Sequence, residues 1–282
     1  MNQVELRRFI REALNEDIGA GDLTTECLVP ANHQSSAYLM VKQDGVIAGL
    51  SVVAQVFQEL DTQVVCTPLV TEGQKVSKGM IIAQIIGSTQ AILTAERVAL
   101  NLLQRMSGIA TLTRDLVDQI EGSNCHILDT RKTTPGLRQL EKYAVRMGGG
   151  TNHRFGLSHG VMLKDNHIAF AGNLSKAVEK VRQQVGHMVQ IEVEVDTLEQ
   201  LSEVLKLDVN AILLDNMEPD ILKKAVKMIN GKVWVEASGG ITPETIRSVA
   251  ETGVNAISLG WLTHSAKALD ISLDFEMEMG DK

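Results

Sequence analysis

Aromatic residues are scarce in this 282-residue chain: two Trp, two Tyr and five Phe leave the interior to be filled mainly by Leu, Ile, Val and Ala. Strands buried on both faces read as short aliphatic runs, so this balance leans towards an α/β fold. Positive charge is also short, with 27 Lys and Arg against 35 Asp and Glu and a formal net charge of -8. That argues against a nucleic-acid partner, since phosphate-backbone affinity rests on a broad cationic face. Any anion binding must be local. The three cysteines, Cys27, Cys66 and Cys125, are odd in number and form no C-x-x-C. Neither a disulfide framework nor a zinc site is implied, and a reducing cytoplasm is the expected setting. The opening MNQVELRRFIREAL lacks the apolar core of a signal peptide, and no aliphatic run approaches a membrane span, so no membrane association is expected.

Leu6, Phe9, Ile10, Ala13 and Leu14 fall on one face of a helix that EDIGAGDLTT should stop. Next come SAYLMVKQDGVIAG, a helical SVVAQVFQEL, QVVCTPLVTEGQKVSKGMIIAQIIG, and a long helical pattern from Ala91 towards Ile120. Asp44-Gly45, Glu72-Gly73 and Lys78-Gly79 are turn signals that favour antiparallel pairing. After about residue 120 the texture changes to alternating strand and helix. The strand candidates are HILDT, GVMLKD, VQIEVEV, NAILLD, KVWVEAS and NAISLG, with helical TLEQLSEVLKL, PDILKKAVKMI and TPETIRSVAETG between the later ones. Regular βα units predict a parallel sheet, closed into a barrel or left open. The barrel is favoured because polar residues recur where the strands stop: Thr130, Lys164, Glu194, Asp215, Ser238 and Ser258. In such barrels that rim carries the chemistry.

Between Asp129 and His167 the cations Arg131, Lys132, Arg138, Lys142, Arg146, Arg154 and Lys164 outnumber Asp129, Glu141 and Asp165, a net positive segment in a negative chain. A polyanion site is the natural reading for Arg131, Lys132 and Arg154, which fall in loops at strand ends. Arg138, Lys142 and Arg146, on the helical LRQLEKYAVRM, stand open between site support and a solvated face. GGGTNHRFG is too glycine-rich for a helix and suits backbone brought close to a ligand. Lys164 reads as a phosphate or carboxylate contact, as a Schiff-base nucleophile, or as a snorkelling lysine. Glu192 and Glu194 share one face of their strand, and Asp215 and Glu236 add carboxylates that metal ions, ribose hydroxyls or buried ion pairs would satisfy. SGG at Ser238–Gly240 and SLG at Ser258–Gly260 (Ser258, Leu259, Gly260) end the last two strands, where barrels often cradle phosphate.

EDIGAGDLTT, AERVALNLLQRMSGIAT, DTRKTTPGLRQLEKYAVRMGGGTNHR, LKDNHI, EVEVD, LLDN, EASGGI and THSAKALDISLDF together resemble the quinolinate phosphoribosyltransferases, and they span nearly the whole chain in order. Two positions depart from the pattern: His159 stands where an acidic residue is expected in GLSHG, and Trp261 where a smaller one follows SLG. The resemblance implies an N-terminal α/β sandwich, an open antiparallel sheet with helices, over residues 1–112 with 266–282 returning to it. Residues 113–265 would form an incomplete, TIM-like α/β barrel of about seven strands. It also implies a homodimer, open to further assembly, in which Arg97 completes the neighbouring subunit's site.

The reaction implied is quinolinate plus phosphoribosyl pyrophosphate giving nicotinate mononucleotide, pyrophosphate and carbon dioxide. Arg97, Thr130, Arg131, His153, Arg154 and Lys164 would meet the two carboxylates, and guanidinium forks bind such groups bidentately. Lys132 would serve that pocket or the pyrophosphate. Glu194 and Asp215 would hold ribose hydroxyls or Mg²⁺, directly or indirectly, beside a cationic sugar. Ser238, Gly239, Gly240, Ser258, Leu259 and Gly260 would hold the ribose 5′-phosphate. The catalytic set is then Lys132, Lys164, Glu194 and Asp215. No organic cofactor is required, because the alkylated ring nitrogen is itself the electron sink. The rival readings are a paralogous phosphoribosyltransferase of the molybdenum-transport-associated type, a Schiff-base aldolase centred on Lys164, and a carrier domain, since EGQKVSKGMIIAQI resembles a biotinyl or lipoyl hairpin.

Overall fold

The computed structural model describes residues 1–276, so 277–282, the end of the segment expected to return to the first domain, lie outside the described residues. The described residues divide into two compact units: 1–114 with 134–149 and the segment from 265 onward, and 115–133 with 150–264.

In the first unit, α1 (Gln3–Ile18) starts where the Asn2 side chain accepts the Val4 N–H and buries Leu6, Ile10 and Leu14. EDIGAGDLTT does stop it, at Gly19, but also starts a second helix that periodicity is too short to reveal. Asp22 caps α2 (Leu23–Leu28) by accepting the Thr25 N–H at 3.0 Å. β1 (Gln34–Val41), β2 (Gly45–Val46), α3 (Leu50–Leu60), β3 (Val65–Pro68), β4 (Lys75–Val76), β5 (Ile81–Ser88) and α4 (Thr89–Gln119) follow. An antiparallel sheet runs β12-β1-β5-β3, where β12 (Ile271–Phe275) pairs with β1 from Ala37↔Phe275 to Val41↔Ile271. Ala37, Leu39 and Val41 alternate into the core, where they join Ile82, Ile85, Phe57 and the α4 stripe Ile92, Ala95, Ala99, Leu103 and Met106. The stretch that resembles a carrier hairpin is not one. β4 pairs with β2, while β5 pairs with β1 and β3.

α5 (Arg138–Met147), expected within the barrel, clusters instead with this first unit. Leu140, Ala144 and Val145 enter the same core. A solvated helix face is ruled out for Lys142, which is fully buried, whereas Arg146 is exposed with its guanidinium 5.6 Å from the Tyr143 ring centre. Glu141, also fully buried, accepts from Arg105 Nη2 at 2.8 Å and from the Thr134 N–H at 3.0 Å.

The second unit contains all six strands expected from the sequence. β6 (His126–Leu128), β7 (Val161–Leu163), α6 (Asp165–Ala171), α7 (Leu174–Gln184), β8 (Ile191–Val195), α8 (Leu198–Val204), β9 (Ala211–Asp215), α9 (Pro219–Ile229), β10 (Trp234–Ser238), α10 (Ile246–Ala250), β11 (Ala256–Ser258) and α11 (Trp261–His264) follow in order. The parallel sheet runs β6-β11-β10-β9-β8-β7, so the last strand pairs with the first and the sheet curls as a barrel does. Thr151 adds a single parallel bridge to Leu128 on the other side of β6. It occupies a seventh strand position, and the ring is left open between Thr151 and β7. Seven positions therefore coexist with six strands because one strand is a single residue long, too short for any periodicity to show.

Candidate active site

Parallel strands all deliver their carboxyl ends to one rim, and that rim gathers every site residue expected from the sequence except Arg97. Arg97 is an exposed residue of α4 in the first unit. Thr130, Arg131 and Lys132 follow β6; His153 and Arg154 follow the Thr151 bridge; Lys164 follows β7. Glu194 and Asp215 lie at the ends of β8 and β9, with Ser238–Gly240 and Ser258–Gly260 at the ends of β10 and β11.

On the cationic side, Asp129 is the organiser. Buried just past β6, it accepts the His153 N–H at 2.9 Å and the Asn152 side-chain N–H at 2.5 Å, tying TNHR to the end of the first strand. Nothing in the sequence marked Asp129 as more than a motif letter. Arg154 donates through Nη1 to the Gly160 carbonyl at 2.7 Å. Burial and the nearby positive charge of Arg131 both lower its pKa, with Glu192 opposing. Two guanidinium groups close enough to repel one another favour an anion between or above them. The Lys132 N–H donates to Thr130 Oγ1 at 3.0 Å, its carbonyl accepts from the Thr263 hydroxyl at 2.7 Å, and its side-chain stem passes over Gly260.

On the acidic side, Lys164 Nζ is ion-paired with Glu194. The Asp215 carboxylate accepts the side-chain N–H of Asn216 at 2.7 Å. Asn216 adopts a left-handed backbone, φ 52°, and its own N–H bonds the Ser238 carbonyl at 2.9 Å. A side chain at Gly239 would put its Cβ 2.2 Å from Asn216 Oδ1, so this glycine makes room for the residue that holds Asp215. Asp196, which no strand ending marks, has its pKa raised by burial and then by Asp165, Asp215 and Glu194. An acidic rim with mutual repulsion of this kind suits a divalent cation held by oxygen ligands, and Glu194 and Asp215 are the carboxylates at the strand ends.

Inside the rim lies a cluster of three ionisable groups. His153 Nδ1 accepts the Arg154 N–H at 2.7 Å, and its Nε2 lies 3.1 Å from Glu192 Oε2 and 3.6 Å from Glu236 Oε2. Both ring nitrogens therefore face protein groups. Glu236 is 2 % exposed. Burial, Glu192 and Asp129 push its carboxyl up to about 7, against the pull of His153 and the Ser258 hydroxyl.

Of the two departures, His159 is exposed and tilted against Phe155, ring centres 6.1 Å apart. Trp261 donates through Nε1 to the Ile241 carbonyl at 3.1 Å, bracing the loop that follows SGG.

Comparison with known proteins agrees along nearly the whole chain. Residues 22–107 match the quinolinate phosphoribosyl transferase N-terminal domain, and 109–274 match the C-terminal domain. A probable nicotinate-nucleotide pyrophosphorylase [carboxylating] of Bacillus subtilis is 47% identical over 97% of this chain and 94% of its own. A mitochondrial quinolinate phosphoribosyltransferase [decarboxylating] of Nicotiana tabacum is 43% identical over 98% of this chain and 83% of its own. Among solved structures, NadC from Streptococcus pyogenes superposes with a TM-score of 0.94 at 39% identity, covering 98% of this chain and 99% of that one. The chain belongs to the quinolinate phosphoribosyltransferase family, through both of its domains.

Proposed function

We propose that the protein transfers the phosphoribosyl group of phosphoribosyl pyrophosphate to quinolinate with loss of carbon dioxide, forming nicotinate mononucleotide and pyrophosphate for NAD biosynthesis. The observation that carries this is the division of one rim into a cationic arc, Arg131 to Lys164, and an acidic arc, Glu194 to Asp215. Quinolinate presents two adjacent carboxylates, which Arg131 and Arg154 bind as planar forks, with Thr130 and Lys164 beside them and His153 behind. Arg97, exposed on α4, completes the site of a neighbouring subunit in a homodimer. Glu194 and Asp215 bind the ribose hydroxyls and would hold Mg²⁺, which when bound neutralises charge on the leaving pyrophosphate. The same carboxylates stabilise positive charge as it develops on the anomeric carbon. Lys132 stands by the departing pyrophosphate. Ser238–Gly240 and Ser258–Gly260, with Leu259, cradle the 5′-phosphate with backbone N–H groups.

After the pyridine nitrogen attacks the anomeric carbon, the ring is cationic. Its cationic nitrogen then stabilises the in-plane electron pair left at C2 when the adjacent carboxylate departs as carbon dioxide, and a proton from water completes the C2–H bond, so no organic cofactor is needed. The rival readings have less support. Lys164 Nζ is engaged by the Glu194 carboxylate, and no observation singles it out as a carbonyl nucleophile. A base without carboxylates would offer the Arg131 and Arg154 guanidinium groups nothing to bind as bidentate forks. Among the described residues no helix is long and apolar enough to cross a membrane, in keeping with action in the cytoplasm. The test is direct: purified protein with quinolinate, phosphoribosyl pyrophosphate and Mg²⁺ should form nicotinate mononucleotide. Turnover of another base, with none of quinolinate, would refute the assignment.

A further inference from the structure

Barrel interiors are normally filled by layers of branched aliphatic side chains. β10 departs from this with Glu236, whose Oε1 is buried without a hydrogen bond among the described residues. Leaving a carboxyl oxygen in that state is costly, and an apolar residue of the same size would be the more stable choice. Besides the Ser258 hydroxyl, Glu236 meets His153, its Oε2 3.6 Å from Nε2, in parallel with Glu192 at 3.1 Å.

We propose that Glu236 is a positioning residue for the dicarboxylate subsite: with Glu192 it fixes the His153 imidazole from the barrel floor, and His153 in turn fixes the backbone of Arg154. The inference rests on the function proposed above. The chain of contacts is short and every link is polar. Because Nδ1 is occupied by the Arg154 N–H, the proton of the neutral ring sits on Nε2, the nitrogen that faces the two carboxyl groups. The same imidazole therefore accepts the Arg154 N–H on one side and on the other hydrogen-bonds Glu192 at 3.1 Å and meets Glu236 in a polar contact at 3.6 Å, while Asp129 accepts the His153 N–H. Arg154 thereby projects its guanidinium from an anchored backbone, an arrangement in which geometry rather than added charge favours the bound dicarboxylate.

The groups that face Glu236 are Glu192 of β8, His153 after the Thr151 bridge, Asp129 beyond β6 and Ser258 of β11. The sign of the pH effect follows from them. Below about 7 the Glu236 carboxyl holds its proton, and above that it ionises beside Glu192, adding negative charge beneath a site for a dianion. Quinolinate KM should therefore rise as pH passes upward through about 7, while a glutamine, which cannot ionise, should not show that rise.

The experiment compares wild type, Glu236→Gln and Glu236→Leu by steady-state kinetics from pH 6 to 9, with each substrate varied in turn. NMR of the His153 ring nitrogens in the free enzymes provides a readout that needs no substrate. Glu236→Leu is expected to raise quinolinate KM about tenfold or more while phosphoribosyl pyrophosphate KM moves less than about twofold, and to change the His153 tautomer balance. Glu236→Gln is expected to match wild type at pH 6 and to keep that quinolinate KM at pH 9, and it decides the question should the leucine variant not fold. Equal losses for both substrates, wild-type kinetics in Glu236→Leu, or a Gln variant that follows the wild-type pH profile would overturn the proposal. So would stoichiometric metal retained by wild type and lost from Glu236→Gln, since the cluster would then be an ion site. Should wild type fail to use quinolinate at all, the function falls, and the NMR comparison alone then decides whether Glu236 positions His153.

Discussion

Gly108 stands inside α4, where helix propensity alone says that alanine should stabilise by about 1 kcal/mol. Tertiary packing reverses the sign. A Cβ built at Gly108 lies 2.0 Å from the Lys267 carbonyl oxygen, 2.9 Å from its carbonyl carbon and 3.1 Å from Ala268 Cα. These are backbone atoms, so no side chain can swing away. Reaching the 3.4 Å of ordinary contact requires the 267–268 backbone to retreat by roughly 1.4 Å. That segment is pinned to α4 by the Leu269 N–H to Gln104 O bond at 2.9 Å, Arg105 Nη1 to Ala266 O at 3.0 Å and Gln104 Nε2 to Ile271 O at 2.7 Å. Loosening two of these bonds costs about 2 kcal/mol in all. Partly withdrawing the buried Leu269 side chain costs about 1–2 kcal/mol more. Subtracting the propensity gain leaves a net destabilisation of about 2–3 kcal/mol, or a melting point lowered by about 5–10 °C. Circular dichroism during urea and thermal unfolding measures this directly. A Gly108→Ala protein as stable as wild type, or more so, would show that the close approach of 267–268 to α4 is not a constraint.

Three further outcomes test the site. Arg131→Ala should raise quinolinate KM by about 10- to 100-fold, the worth of a lost charged hydrogen bond, with an unchanged circular dichroism spectrum; unaltered kinetics would remove Arg131 from the pocket. Gly239→Ala should push the Asn216 amide off Asp215 and raise phosphoribosyl pyrophosphate KM more than quinolinate KM, and an even rise in both would sever Asn216 from the sugar site. Arg97→Ala and Glu194→Gln, each inactive alone, should recover partial activity when mixed and allowed to exchange subunits; if the mixture stays inactive under conditions where exchange is demonstrated, Arg97 acts within its own chain.

Much of this architecture could be read from the chain, and the reason is local. The six barrel strands are short aliphatic runs ended by polar residues, and each such end marks where a parallel strand delivers its side chains to the rim. Lys164, Glu194, Asp215 and the two glycine turns were therefore placed on one rim by strand endings alone. α2, by contrast, is a single capped turn and a half, and the seventh barrel position is one residue, so neither carries a period that a sequence could display. Lys142 shows the limit from another side: its helix reads as half-charged and surface-like, yet the residue lies fully buried beside the buried Glu141.

By itself, then, the sequence determined the alternation of elements, the rim on which the chemistry gathers and the family whose motifs it repeats, because each of these is written in neighbouring residues. The tertiary structure alone decided which carboxylate meets which partner: Glu194 with Lys164, Glu192 and Glu236 with His153, and Asp129 with the backbone of TNHR. Those partners are 24 to 83 residues apart in the chain, and the burial that raises the Glu236 carboxyl comes from the packed fold, which no local pattern encodes.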